Sequence, residues 1–333
     1  MTDLLAPDSV TRIPVTSGQL DLGDFRTEAG EVLPKASLAW RAFGDPSRGR
    51  DAGWTLVFHA LTGSADVPAW WGPLLAPGGA LDPATRPVLA ANLLGSCYGS
   101  TGPVDCSPAS FPLLTARDLA RAHLPLLTEL GVERLARVTG GSLGGMVALH
   151  FGTLSPVAIE RLVVFAAPAA TGAQAIAWNA AQRLAIEADP VRGLAAARAI
   201  AMITYRSAIE FEHRFARRAT RSPGRFDVEH YLRRQGDKLV ARFDAASYLA
   251  LMDAMDTHDV GPPALAALAT AERCEEVVGV GVDTDILYAA SEVRDWVEAY
   301  RAAGAHARYE EIHSPFGHDA FLIEFEEVGR ILR

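Results

Sequence analysis

Two spacings of apolar residues alternate along the first half of the chain. Residues 35–43, 54–60, 87–92, 135–139 and 161–167 are short runs rich in β-branched and apolar side chains, and they predict strands. Residues 113–130 instead place Leu119, Ala122, Leu126, Leu127 and Leu130 at helical spacing, with Gly131 as the C-terminal cap, and 143–151 predict a second helix. Thr55-Leu-Val-Phe-His-Ala60 and Arg161-Leu-Val-Val-Phe-Ala-Ala167 are apolar at consecutive positions, as expected of strands covered on both faces of a parallel sheet. After Pro168 the strand pattern stops. Residues from about 171 to 259 predict helices rich in Ala, Leu and Arg, divided into two groups at Arg221-Ser-Pro-Gly224. Alternation resumes with a strand at 276–282, a helix at 291–303 and a strand at 307–312. The pattern predicts one α/β core, residues 1–170 and 263–333, interrupted by a helical lid at 171–262.

Charge and composition narrow the partners. Of 333 residues, 31 are Lys or Arg and 40 are Asp or Glu, a formal net charge of -9, which argues against nucleic acid as a partner. No apolar run reaches the length of a membrane span, and the acid-bearing N-terminus does not read as a signal peptide. The three cysteines, Cys97, Cys106 and Cys274, cannot all pair, and their spacing does not suggest a metal site. A cytoplasmic protein with reduced thiols and no metal is expected.

Residues 140–144, Gly-Gly-Ser-Leu-Gly, fit Gly-x-Ser-x-Gly between a predicted strand and a predicted helix. A serine at so tight a turn is held in a strained backbone position, and small neighbours relieve the crowding. The helix N-terminus adds positive potential where an anion would form, so Ser142 is a candidate nucleophile rather than only a helix cap. Such a serine needs a base, and the base an orienting acid, in the chain order Ser, acid, His. Among nine histidines, His318 fits the base, in a loop after the last predicted strand, whereas His313 reads as a capping or packing residue at the strand end. His59 ends a strand beside the loop 59–64. For the acid, strand 276–282 runs into Asp283-Thr-Asp285, and spacing alone leaves both aspartates open. Oxyanion donors are expected from the backbone N–H of Leu143 and, in the loop 59–64, of Leu61.

Taken in order, HALTGS (59–64), ANLLGSCYGSTGP (91–103), GGSLGGM (140–146), ITYRS (203–207) and SPFGHDAFL (314–322) resemble the homoserine O-acyltransferases. These are α/β-hydrolase-fold enzymes of methionine biosynthesis. FRTEAGEVLPKASLAWRAFG (25–44) is similar to that family's N-terminal strands, so the resemblance runs from about residue 20 to the end. It implies an α/β-hydrolase fold, a mostly parallel sheet flanked by helices with an inserted helical lid. It also implies ping-pong transfer of an acyl group through Ser142 to L-homoserine, with acetyl-CoA or another acyl-CoA as co-substrate and no bound cofactor, in a homodimer. The family's Ser/Thr-Asp-x-Leu-Phe/Tyr segment maps onto Thr284-Asp-Ile-Leu-Tyr288, which selects Asp285 as the acid. Arg206 matches the residue that binds the acceptor's carboxylate, and Asp319 the one that meets its ammonium. Residues 95–98 read Gly-Ser-Cys-Tyr, where acetyl-specific members more often show Gly-Gly-Cys. The alternatives are therefore a homoserine O-succinyltransferase or a serine O-acyltransferase with the same triad, and more distantly an esterase or thioesterase.

Overall fold

The computed structural model describes residues 13–106, 111–189, 192–220, 225–261, 264 and 274–333. Its strands are β1 (Val15–Arg26), β2 (Val32–Phe43), β3 (Trp54–Phe58), β4 (Val88–Ala91), β5 (Leu135–Gly141), β6 (Ile159–Phe165), β7 (Cys274–Val282) and β8 (Ala307–Ile312). They form one sheet in the order β1-β2-β4-β3-β5-β6-β7-β8. The β1/β2 and β2/β4 pairs are antiparallel, and every pair from β4 to β8 is parallel. The helices that concern the site are α1 (Gly49–Ala52), α2 (Pro68–Leu75), α3 (Ala116–Glu129), α4 (Leu143–Leu154), α5 (Ala173–Ala188), α6 (Gly193–Tyr205), α7 (Ala208–Phe215), α8 (Asp227–Val240), α9 (Ala245–Asp256), α10 (Ala290–Ala302) and α11 (Phe325–Leu332).

The consecutive apolar positions have the expected cause. Leu56, Phe58, Leu162 and Val164 pack with α3, α4 and α10 on one face, while Val57, Val163, Phe165 and Val280 pack with α2 and α11 on the other. Each strand interior therefore needs an apolar side chain at every position. Helix α3 starts where its capping box lies: Thr115 Oγ1 accepts from Asp118 N at 3.0 Å, and the Asp118 carboxylate accepts from Thr115 N at 3.1 Å. It ends before Gly131, at φ 61°, as its sequence predicts. β1 escapes the pattern because it is an edge strand: only Leu20 is buried along it, and a register shift separates Asp21 from Gly23.

Between β6 and β7 the described residues form helices α5 to α9. The insertion leaves and rejoins the sheet at one place, where Ala170 bridges Asp259, Thr171 N donates to His258 O and Val260 N donates to Ala169 O. The expected break at residues 221–224 and the expected boundary at 262–263 lie outside the described residues. No helix among the described residues is long and apolar enough to cross a membrane.

Four histidines are built into this frame in the neutral form. Burial pushes His59, His123 and His258 down to about 4 and His150 down to about 3. His258 joins insertion to core, with Nδ1 3.2 Å from His150 Nε2 and Nε2 2.9 Å from Pro168 O. Their folded pKa values lie below the ordinary 6.5, so the unfolded chain takes up protons that the folded chain refuses. The stability they hold is complete above about pH 6.5 and is lost as pH falls toward 4, at about 1.4 kcal/mol for each pKa unit. The thermal midpoint, followed from pH 7.5 to 4.5 by calorimetry, should decline most steeply below about 6.5, and His258→Gln should flatten part of that decline.

Candidate active site

Ser142 stands between β5 and α4 at φ 57°, ψ -130°, a conformation that serine adopts only under constraint. Its N–H donates to Phe165 O and its carbonyl accepts from Met146 N, which fixes the turn on both sides. The neighbouring glycines are demanded by packing. A Cβ on Gly144 would lie 2.3 Å from Phe58 O, and one on Gly141 2.4 Å from the Phe321 ring. Helix α4 can therefore press its first turn against β3.

Asp285 and His318 converge there from the ends of β7 and β8. His318 Nδ1 lies 2.6 Å from Asp285 Oδ2, with both side chains almost fully buried. The other carboxylate oxygen accepts from Leu287 N at 2.8 Å and Tyr288 N at 3.1 Å, so Asp285 is held from behind. Thr284 Oγ1 accepts from Gly317 N at 3.1 Å and donates to Ser314 O, tying the two loops together. Burial works to lower the pKa of His318. The charge and hydrogen bond of Asp285, helped by Asp319, outweigh it and leave the pKa raised. Its Nε2 is buried and has no hydrogen-bond partner among the described residues. That nitrogen is the one left for a serine hydroxyl.

Asp283 and His313 pair with each other instead. Asp283 accepts from Ser314 N at 3.1 Å and lies 3.1 Å from His313 Nδ1, whose ring is largely exposed. His59 is also structural. Its Nε2 accepts from Leu93 N at 3.0 Å, so the neutral ring carries its proton on Nδ1 and donates to Ala60 O at 2.8 Å. This bond pins the loop carrying Leu61.

Ser142, His318, Leu61 and Asp319 line a common cavity of about 90 Å³, together with Tyr205 and Arg198 of the helical insertion. A larger groove of about 790 Å³ between α6 and α8 touches none of the triad candidates. Arg206 lies just outside the small cavity, in an adjoining cleft with Phe211, Phe215 and Ile286. Its Nε is 3.1 Å from Asp319 Oδ2, a charge contact whose angle falls short of a hydrogen bond. Burial raises the pKa of Asp319 against the opposing pull of Arg206, Arg198 and His318. Arg198 was not read from the sequence. Its one signal is its placement seven residues before Tyr205, on the same face of α6.

The alpha/beta hydrolase fold family matches residues 54–245, and this chain belongs to it. A homoserine O-acetyltransferase from Thermus thermophilus is 46% identical over 92% of this chain and 88% of its own length. Another, from Moorella thermoacetica, is 40% identical over 92% of this chain and 91% of its own. The crystal structure of a homoserine O-acetyltransferase from Staphylococcus aureus superposes with a TM-score of 0.82 at 29% identity, covering 96% of this chain and 94% of that one. Within the fold, the chain belongs to the homoserine O-acetyltransferases, an acyltransferase family.

Proposed function

We propose that this chain moves an acetyl group from acetyl-CoA to the side-chain hydroxyl of L-homoserine, by way of an ester on Ser142. The observation that carries the mechanism is the His318–Asp285 pair: it leaves Nε2 without a partner among the described residues, and His318 lines the same cavity as Ser142. His318 takes the serine proton as Ser142 attacks the thioester, and the N–H groups of Leu61 and Leu143 receive the charge on the carbonyl oxygen. Coenzyme A leaves as the thiol, with the proton returned by His318. His318 then takes the homoserine proton, the acceptor oxygen attacks the acetyl ester, and Ser142 recovers its proton on release. Asp285 keeps the imidazole in the tautomer that presents Nε2 as the acceptor.

Arg206 and Asp319 orient the amino acid in this reading, a cation for its carboxylate and an anion for its ammonium. Positioning of that hydroxyl, in place of water, separates a transferase from an esterase of the same fold. Acetyl is taken as the transferred group because the similar proteins of 46% and 40% identity are homoserine O-acetyltransferases. The enzyme needs no cofactor beyond the acyl-CoA, works in the cytoplasm as a homodimer and serves methionine biosynthesis.

Product analysis by mass spectrometry tests the reading. Acetyl-CoA with L-homoserine should yield O-acetylhomoserine. Free acetate released equally fast with and without an amino acid would make the protein a hydrolase, and O-succinylhomoserine or O-acetylserine as the main product would move the substrate assignment.

A further inference from the structure

The loop that carries Leu61 is held from two sides, and the core fixes its ends. Ala60 O accepts from Gly63 N at 2.8 Å and from the His59 ring, and Ser64 O accepts from Trp70 Nε1 at 3.1 Å. Ala65 N donates to Asn92 Oδ1 at 2.7 Å. Between those anchors stands Thr62, which lines the catalytic cavity beside Leu61 and Ser142. Its donors come from the helical insertion. Arg242 Nη1 donates to Thr62 O at 2.7 Å, and Nη2 donates to Thr62 Oγ1 at 3.2 Å. The same Nη1 donates to Tyr98 Oη at 2.7 Å, so one guanidinium joins the loops that follow β3 and β4. A planar fork of N–H donors meets several acceptors at once in a fixed geometry, which a lysine ammonium on its flexible stem does not.

Arg242 is exposed, yet its backbone is fixed. It lies in the joint between α8 and α9, where Arg242 N and Phe243 N both donate to Leu239 O at 2.9 Å. The buried Phe243 ring packs edge-on against Tyr98 at 5.6 Å and against Tyr248 at 6.3 Å. The joint therefore delivers the guanidinium to one place on the loop. An oxyanion donor works by being in place before the charge develops. Whatever fixes the residue beside it adds to the rate without touching the substrate.

We propose that Arg242 is a positioning residue for the oxyanion hole: it fixes Thr62 and so holds the N–H of Leu61, one residue earlier, in register with Ser142. The helical insertion thereby takes part in stabilising the transition state. The proposal rests on the Ser142 ester and on Leu61 as an oxyanion donor, as above.

The test uses Arg242→Met, which keeps the aliphatic stem and removes the donors. Both half-reactions pass through an oxyanion, so both should slow alike. The fall in kcat should be about 30-fold, less than the roughly 10^2- to 10^3-fold cost of losing a donor outright. KM for acetyl-CoA and for homoserine should each change less than about threefold. Arg242→Lys should recover part of the loss. A second readout is S-trifluoroacetonyl-CoA, a ketone thioether of coenzyme A. The Ser142 oxygen adds to its carbonyl carbon, the carbonyl electron pair moves to oxygen, His318 takes the hydroxyl proton, and nothing leaves. Its inhibition constant should rise by the factor by which kcat falls, whereas that of coenzyme A itself, which forms no oxyanion, should stay. Tyr98→Phe removes one contact at nearly constant volume; it should lower kcat about threefold alone and add nothing in Arg242→Met. Unchanged kcat in Arg242→Met, a kcat loss with unchanged affinity for the ketone, or a change confined to the homoserine KM would each overturn the proposal. Multiplicative losses in the double variant would overturn it too. Absence of an acetyl adduct on the unmodified enzyme would instead sink the Ser142 reading itself, a result visible before any variant is compared.

Discussion

Replacing Ser142 with alanine should lower acetyl transfer by about 10^4-fold or more and leave no acetyl group on the protein. The unmodified enzyme, mixed with acetyl-CoA in the absence of homoserine, should gain the mass of one acetyl group, and added homoserine should discharge it. Ser142→Ala should gain none. Stability separates this chemical loss from misfolding. Ser142 is 5% exposed and holds φ 57°, which alanine tolerates no better than serine, so Ser142→Ala should unfold within about 1 kcal/mol of the parent. Ser142→Gly should be equally inactive, yet unfold at a higher temperature than Ser142→Ala, because glycine has no Cβ to strain at that turn. An acetyl adduct on either variant would remove Ser142 from the role of nucleophile.

The turn around Ser142 was legible because its causes are local. A strand, two glycines, a serine and a helix lie consecutively, and the same few residues produce both the strain and its relief. The choice between Asp283 and Asp285 was not local. Both follow β7 by a few residues. What distinguishes them is that Ser314 N and His313 occupy Asp283, whereas Leu287 N and Tyr288 N turn Asp285 toward His318. Only the likeness to a family could choose between them in advance. Arg198 shows a further limit, for an arginine on a helix announces nothing until the helix is laid across a cavity. Two elements of the fold escaped for opposite reasons. β1 is an edge strand with one buried position, so it carries almost no alternation. α2 contains Pro68, Gly72 and Pro73 and is apolar nearly throughout, so it carries neither a polar face nor a good helical propensity.

Exchange of Asp285 for asparagine should then cost about 10^3- to 10^4-fold in kcat, whereas Asp283→Asn should cost less than about tenfold. The contrast follows from what each carboxylate holds. An asparagine at 285 can turn its NH₂ toward Nδ1, which forces the imidazole proton onto Nε2 and removes the acceptor that Ser142 needs. At 283 the loss is a contact to an exposed ring and one backbone hydrogen bond, and the loop is still pinned by Thr284. The pH profile gives a second, independent readout. His318 acts as a base only when neutral, so kcat/KM for acetyl-CoA should rise with pH through its pKa, which Asp285 and Asp319 hold above the ordinary 6.5. Removing the charge of Asp285 takes away the main force raising that pKa and leaves burial to lower it. The rising limb of Asp285→Asn should therefore move to lower pH, even as its plateau falls. In Asp283→Asn the limb should stay where it is. A limb that shifts in Asp283→Asn and stays fixed in Asp285→Asn would exchange the roles of the two aspartates.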